Sequence, residues 1–227
     1  MTAHEVLGLI RTERELEELV RTLGILPFFR NSIPGFSVEE HVPRELWFTE
    51  EPGPWEWKGE VIRGIGCGYG KLFEQKAAFV DRRWFTDLAN YRRDGYDFDA
   101  RYDDGLATRK DKQLYDLIAG NEPVVTTDLK RMGNYRKGGS TGFDGSAVRL
   151  QMQGYVLIRD FVYRRTPEGR TYGWGISEYG TPEGWFGPEF RQNVYSCTPE
   201  ESGERLYRHL AGLFPETPEE ALRRFLG

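Results

Sequence analysis

The sequence predicts an α+β fold from two observations. Residues 111–182 read in order as helix, helix, helix and long β-hairpin, and residues 198–227 carry the same Thr-Pro-Glu-Glu helix start twice, at Thr198 and Thr217. The first order is that of a winged helix-turn-helix, so the chain is expected to hold winged helix-turn-helix units, two in tandem, with a C-terminal helical pair. On this reading residues 1–50 are an N-terminal helical segment and connector, and 51–108 are an aromatic-rich α+β block serving as the first winged unit. Residues 109–182 are the winged helix-turn-helix, and 183–227 are helices packed on the body.

Each element follows from local chemistry. Thr12-Glu13-Arg14-Glu15 fits a capping box opening a helix whose Leu16, Leu19, Val20 and Leu23 form one stripe, and Gly24 ends it. Residues 25–47 mix apolar and aromatic residues with Pro27, Pro34 and Pro43, an irregular packed connector with a short helix near Ser37 to His41. Glu60 to Ile65 reads as a strand, Tyr69 to Phe79 as a hairpin element, and Asp81 to Arg92 as a helix capped by Asp81. Leu114, Leu117 and Ile118 share one face of a helix from Asp111 to Ala119, stopped by Asn121-Glu122-Pro123. Thr126 or Thr127 caps a two-turn helix that carries Leu129 and Met132 and ends at Gly133.

Beyond the Gly-rich linker of Lys137 to Gly142, a third helix is expected from Phe143 to Gln153, with Phe143, Ala147 and Leu150 on one stripe and Gly154 closing it. Tyr155 to Arg165 and Thr171 to Tyr179 are rich in β-branched and aromatic residues, and Thr166-Pro167-Glu168-Gly169 makes the turn of a hairpin, the wing. The two Thr-Pro-Glu-Glu starts open helices whose stripes, Leu206, Leu210 and Leu213, then Ala221, Leu222 and Phe225, dock on the body.

Composition narrows the function classes. With 14 % aromatic and 38 % hydrophobic residues in 227, the chain should fold, and it has no run of eighteen apolar residues to cross a membrane. Its first twenty residues are acidic and amphipathic where a signal peptide starts basic, so a cytoplasmic protein with no membrane partner is expected. Cys67 and Cys197 stand far apart, and His4, His41 and His209 are isolated, so neither a metal site nor a cofactor is expected. The glycines at 64, 66, 68 and 70 before Lys71 miss the phosphate-loop spacing, since Ile65 and Leu72 stand where Gly and Ser or Thr are needed. Asp94, Asp97, Asp99, Asp103 and Asp104 lack calcium-loop spacing and read as a solvated loop.

The net charge of −5 excludes binding nucleic acid by bulk attraction. Between residues 130 and 170, however, Lys130, Arg131, Arg136, Lys137, Arg149, Arg159, Arg164, Arg165 and Arg170 oppose only Asp144, Asp160 and Glu168, a local excess of six positive charges. Such an island suits phosphate contacts, with double-stranded DNA as the partner. Cationic residues also guard exposed hairpin edges, so Arg164, Arg165 and Arg170 have that alternative role. On the third helix, Gln153 lies near Arg149, a pairing able to read base edges, while Val148 and Met152 sit opposite the Phe143 stripe.

The sections WEWKGEVI (55–62), YGKLF (69–73), NYRRDGYDFDARYDDG (90–105), LYDLI (114–118), DLKRMGNY (128–135) and RLQMQGYVLIRDFVYR (149–164) give a resemblance that covers most of the chain. The sequence resembles the AlkZ-related proteins, short relatives of the AlkZ/YcaQ group of winged-helix DNA glycosylases. That resemblance implies tandem winged units, a link to DNA repair, and a Gln-x-Gln pair positioning the water that attacks a damaged nucleotide, with Gln151 and Gln153 as its candidates here. In a strand those two side chains would share a face; in a helix they diverge by about 200°. The expected function is a winged-helix DNA-binding protein contacting DNA through a basic wing and third helix. A DNA glycosylase excising alkylated or crosslinked bases and a protein–protein interaction module are the alternatives.

Overall fold

The computed structural model describes residues 2–49, 51–167 and 171–227, without the side chains of Arg165, Thr171 and Tyr172. After a single turn, α1 (Ala3–Val6), helix α2 (Glu13–Leu23) opens on the expected capping box: Thr12 Oγ1 accepts from the Glu15 amide at 3.2 Å and the Glu15 carboxylate accepts from the Thr12 amide at 3.0 Å. Gly24, at φ +72°, ends it in the left-handed conformation that suits glycine. Strand β1 (Ile25–Pro27), α3 (Val38–His41) capped by Ser37, a 3-10 turn (Arg44–Trp47) and α4 (Pro54–Ile65) follow, then the hairpin β2 (Gly68–Phe73) and β3 (Lys76–Val80).

Helices α5 (Arg82–Arg93) and α6 (Phe98–Asp103) intervene, and the same order then returns: α7 (Arg109–Ala119), β4 (Val124–Val125), α8 (Thr126–Met132), α9 (Phe143–Met152), β5 (Leu157–Arg165) and β6 (Thr171–Gly180). Short helices α10 (Pro182–Phe186) and α11 (Pro188–Asn193) lead to the C-terminal pair α12 (Pro199–Leu213) and α13 (Glu219–Leu226). The α+β class is therefore present, with a six-stranded antiparallel sheet ordered β1-β3-β2-β5-β6-β4.

That strand order reads the same from either edge: a short edge strand, the second hairpin strand, then the first, with the two first strands meeting at Tyr69 opposite Ile158. The helices cross the junction. α4 from the first half lies on β5, and α9 from the second lies on β2. Glycines stand at both contacts, and the closer approach is at β2. A Cβ on Gly70 of β2 would come within 2.7 Å of Gln151 Oε1, and one on Gly59 of α4 would meet Phe161 Cβ at 3.8 Å. The buried set, including Val20, Phe28, Tyr69, Phe79, Leu150, Val156 and Leu206, forms one hydrophobic cluster running through both halves.

Several local expectations are corrected. Glu60 to Ile65 is helical, not a strand: Pro54 stands at the first helical position, Glu56 Oε2 accepts from the Gly53 amide at 3.0 Å, and Trp57, Val61 and Ile62 make a buried helical stripe. Val61 and Ile62 between glycines favour a strand only locally. The acidic loop contains α6, which Asp97 caps through its bond from the Ala100 amide at 2.8 Å. Helix α8 begins at Thr126 itself, with Val125 as cap, and α13 begins after Pro218, not Thr217. Gly133 ends α8 at φ −79°, and Asn134 instead takes the left-handed conformation at φ +55°. Glu168 and Gly169 of the wing turn lie outside the described residues. No helix among the described residues is long and apolar enough to cross a membrane.

The residues of the NYRRDGYDFD stretch are structural. Arg93 is 1 % exposed, donates to Gly154 O at 2.7 Å and to Glu183 Oε1 at 2.6 Å, and lies 4.7 Å from the Tyr155 ring centre. Arg92 donates to Met152 O and Leu226 O, both at 2.8 Å, and to Leu72 O, tying the C-terminus to β2 and α9. Asn90 donates to Ser202 Oγ at 3.0 Å, fastening α5 to α12.

Candidate nucleic-acid interface

Helix α9 is built to be buried on one side only. Phe143, Ser146, Ala147, Leu150 and Gln151 face the interior, packed on α7 and β2. On the other side Asp144, Gly145, Val148, Arg149, Met152 and Gln153, with Gln75 from the β2–β3 turn, line an open groove of about 470 Å³. The half-buried Val148 and Met152 are thus not covered by another helix but form its apolar floor.

The two glutamines have different surroundings. Gln151 is 2 % exposed; its Oε1 accepts from the Lys71 amide at 2.9 Å and its Nε2 donates to Ala147 O at 2.8 Å. Its amide is therefore committed on both sides to holding α9 against β2. Gln153, the C-terminal cap residue, lines the groove. The helix separates the pair, as the helical spacing requires.

Electrostatics around α9 are more balanced than a window of sequence conveys. Arg149 grips the buried Asp111 of α7, Nε to Oδ2 at 3.1 Å and Nη2 to Oδ1 at 2.7 Å. Burial alone would raise the Asp111 carboxyl, but hydrogen bonds from Arg149, Ser146 and Thr108 outweigh it and hold it below its ordinary value. Lys130 Nζ lies 4.8 Å over the Phe143 ring and 3.8 Å from Asp144, and Arg131 pairs with Asp128 at 3.0 Å. Arg159 is stacked on Trp185 of α10 at 4.9 Å, away from this groove, with its buried Nε unpartnered. Asp160 pairs with Arg63 of α4. Lys130, Arg149 and Gln153 therefore gather at α9, whereas Arg159 does not join them.

Arg136 and Lys137 on the α8–α9 linker and Arg164 on β5 are exposed and have no partner among the described residues. The Arg165 side chain and Arg170 lie outside the described residues. Sequence reasoning missed Lys110, well upstream of the counted window, whose Nζ donates to Thr141 Oγ1 at 3.2 Å beside the same linker.

It also missed two groups that only tertiary packing assembles. Glu13 of α2 and Glu60 of α4 come together: the hydrogen bond from Glu60, then burial and the charges of Glu60 and Glu17, push Glu13 up to about 7, against a smaller pull from Arg63. Glu60 lines a cavity of about 450 Å³ with Glu56, Arg63, Asp160 and Tyr163. Lys58 lies 4.2 Å over Phe161 and 5.0 Å over Trp55, and burial pushes its amine down to about 8. Second, Trp47, Phe48, Trp55 and Trp174 form an aromatic surface, with Phe48 81 % and Trp174 72 % exposed. No group of three or more His, Cys, Asp or Glu among the described residues is arranged to hold a metal ion.

Compared with known proteins, residues 10–227 match the sequence model of a family described as AlkZ related. No curated protein and no solved structure matches the chain.

Proposed function

The chain belongs to the AlkZ-related family, and from that membership we propose a DNA-repair-linked, glycosylase-like protein that engages duplex DNA through its second half. The repeated helix–strand–helix–helix–hairpin order supports reading residues 13–80 and 109–180 as tandem winged units. One observation carries the DNA reading: α9 leaves an open groove along one side that ends in Gln153, while the adjoining linker holds Arg136 and Lys137 exposed and unpaired among the described residues. Gln153 then faces base edges, and Arg136, Lys137 and Arg164, with Arg165 and Arg170 of the same hairpin, take phosphates. Lys130, Arg131, Arg149 and Arg159 hold the scaffold in the free protein.

Duplex affinity should fall steeply with salt. Arg136→Glu with Lys137→Glu, and separately Arg164→Glu, should weaken binding to every sequence alike and flatten the log–log salt slope by about one per lost phosphate contact. Unchanged slopes measured by fluorescence anisotropy would remove the reading.

A catalytic role is favoured by Glu60, which lines the cavity of about 450 Å³ and bonds Glu13, since a carboxyl pushed up to about 7 suits proton transfer. Abasic-site formation on alkylated duplex tests it. Loss in Glu60→Gln with retention in Gln151→Ala and Gln153→Ala would place the chemistry at the carboxyl pair. Loss in Gln153→Ala would return it to α9.

A further inference from the structure

Helix α4 carries a lysine that no carboxylate holds. The partly buried Lys58 places its Nζ 4.2 Å over the Phe161 ring and 5.0 Å over Trp55, and it has no ion pair or hydrogen bond among the described residues. Acids are not lacking: Phe161 walls the cavity of about 450 Å³ whose lining also includes Glu56, Glu60 and Asp160. Each of them is already engaged. Glu56 accepts from the Gly53 amide at 3.0 Å, Glu60 bonds Glu13, and Asp160 pairs with Arg63. The amine is thus left on ring faces, which attract its charge but accept no conventional hydrogen bond from it. Burial pushes it down to about 8, against an opposing pull from the Glu56 charge. Near neutral pH it therefore holds about two orders of magnitude more free amine than an ordinary lysine.

We propose that Lys58 is a nucleophile that forms an imine with an aldehyde entering this cavity. The nitrogen lone pair adds to the carbonyl carbon and the carbonyl oxygen becomes a hydroxyl; the carbinolamine then expels that oxygen as water and leaves a protonated imine. Summed over the steps, an ammonium and an aldehyde give an iminium and water, so the charge over Phe161 and Trp55 is the same before and after. The rings that hold the ammonium can hold the product, which has fewer N–H groups to strip of water. A carboxylate partner would instead fix the proton on nitrogen and oppose the first step. Two sources present this chemistry: a free small aldehyde, and the open-chain sugar left in a duplex once a base is lost. The second rests on the DNA-repair reading above; the first does not.

The test incubates the full chain near neutral pH with limiting propanal, or with a duplex carrying one abasic site. Sodium cyanoborohydride in each mixture reduces the iminium to a stable secondary amine, and peptide mapping by mass spectrometry locates the modified lysine. Lys58 should be captured at least about tenfold faster than the exposed Lys137. Lys58→Arg keeps a cation over both rings, so it should hold the wild-type melting temperature while losing the capture. Glu56→Gln, which removes the charge that favours the ammonium, should speed the capture, a change that a merely structural lysine would not show. Capture by the abasic duplex as well as by propanal assigns the sugar aldehyde as the source, and capture by propanal alone assigns a free aldehyde. Labelling of Lys58 no faster than that of Lys137 overturns the proposal, whatever duplex binding shows. Failure of duplex binding with propanal capture intact would overturn the DNA reading alone.

Discussion

Arg149 and Asp111 show how one residue's role changes once its partner is known. On the sequence Arg149 is a free cation on a DNA-facing helix; in the fold it is bidentate to a carboxylate that is 5 % exposed. Removing the arginine strands that carboxylate, so Arg149→Ala should cost about 1–3 kcal/mol of stability, less than for a fully buried pair because Arg149 is itself half exposed. Asp111 is held below its ordinary value, so its contribution is full above the unfolded carboxyl value of about 4 and is lost as pH falls through the folded one. Urea unfolding at neutral and at acid pH should therefore show a wild-type loss on acidification that is smaller in Arg149→Ala. Gln151 makes the same point: its amide bonds explain its burial without any reacting water, and Gln151→Ala should lower stability by about 1–3 kcal/mol. Equal stability of that variant would show that those bonds carry no net weight.

Elements were legible where their signals are local. The cap and stripe of α2, the Asp81 cap of α5 and the Phe143–Ala147–Leu150 stripe of α9 each lie within a few consecutive residues, and each became the expected helix. Helix α4 was not legible, because its cap is a backbone amide on Gly53 and its glycines at 59 and 64 serve packing against β5 and α2 rather than the helix itself. The basic island was overcounted for a related reason: Asp111, Asp128 and Trp185, which occupy three of its cations, lie outside the 130–170 window. The aromatic surface that joins Trp174 to Trp47 and Trp55, and the Glu13–Glu60 pair, bring together residues far apart in sequence, which periodicity cannot reveal. That pair makes the α2–α4 contact pH-sensitive. Glu13 is raised from 4.5 to about 7, so its protonation stabilises the fold below the ordinary carboxyl value and that gain is lost as pH rises to about 7. Of the charges facing it, Glu60 and Glu17 oppose its ionisation and Arg63 favours it. Thermal melts should decline in midpoint from mildly acidic to mildly alkaline pH, and Glu13→Gln should flatten that decline; an unchanged slope would exclude the pair as its source.

At the scale of the molecule, the two halves resemble units that could stand alone, yet their packing argues against independence. We propose the two repeats, residues 13–80 and 109–180, and the C-terminal helices as parts of one folding unit. The direct strand junction is narrow, with Tyr69 opposite Ile158. What joins the halves is the exchange of helices, α4 onto β5 and α9 onto β2, reinforced by the Arg92 bonds to Leu72, Met152 and Leu226. Removing either half would expose the face its partner's helix covers, and loss of the first half would strip Gln151 Oε1 of its donor, the Lys71 amide. Unfolding should accordingly be a single transition, with far-ultraviolet circular dichroism and tryptophan fluorescence giving coincident midpoints in guanidinium and a slope fitting the whole chain's buried surface. A fragment of residues 109–227 should lack cooperative unfolding. Gly70→Val, which drives a branched side chain into Gln151, should lower both probes' midpoints together if the halves are coupled through α9. Separate midpoints, or a change confined to one probe, would establish two independent units. The open face of α9 would then be free to move relative to the first half, whereas a single transition fixes the groove between α9 and Gln75 as a preformed surface.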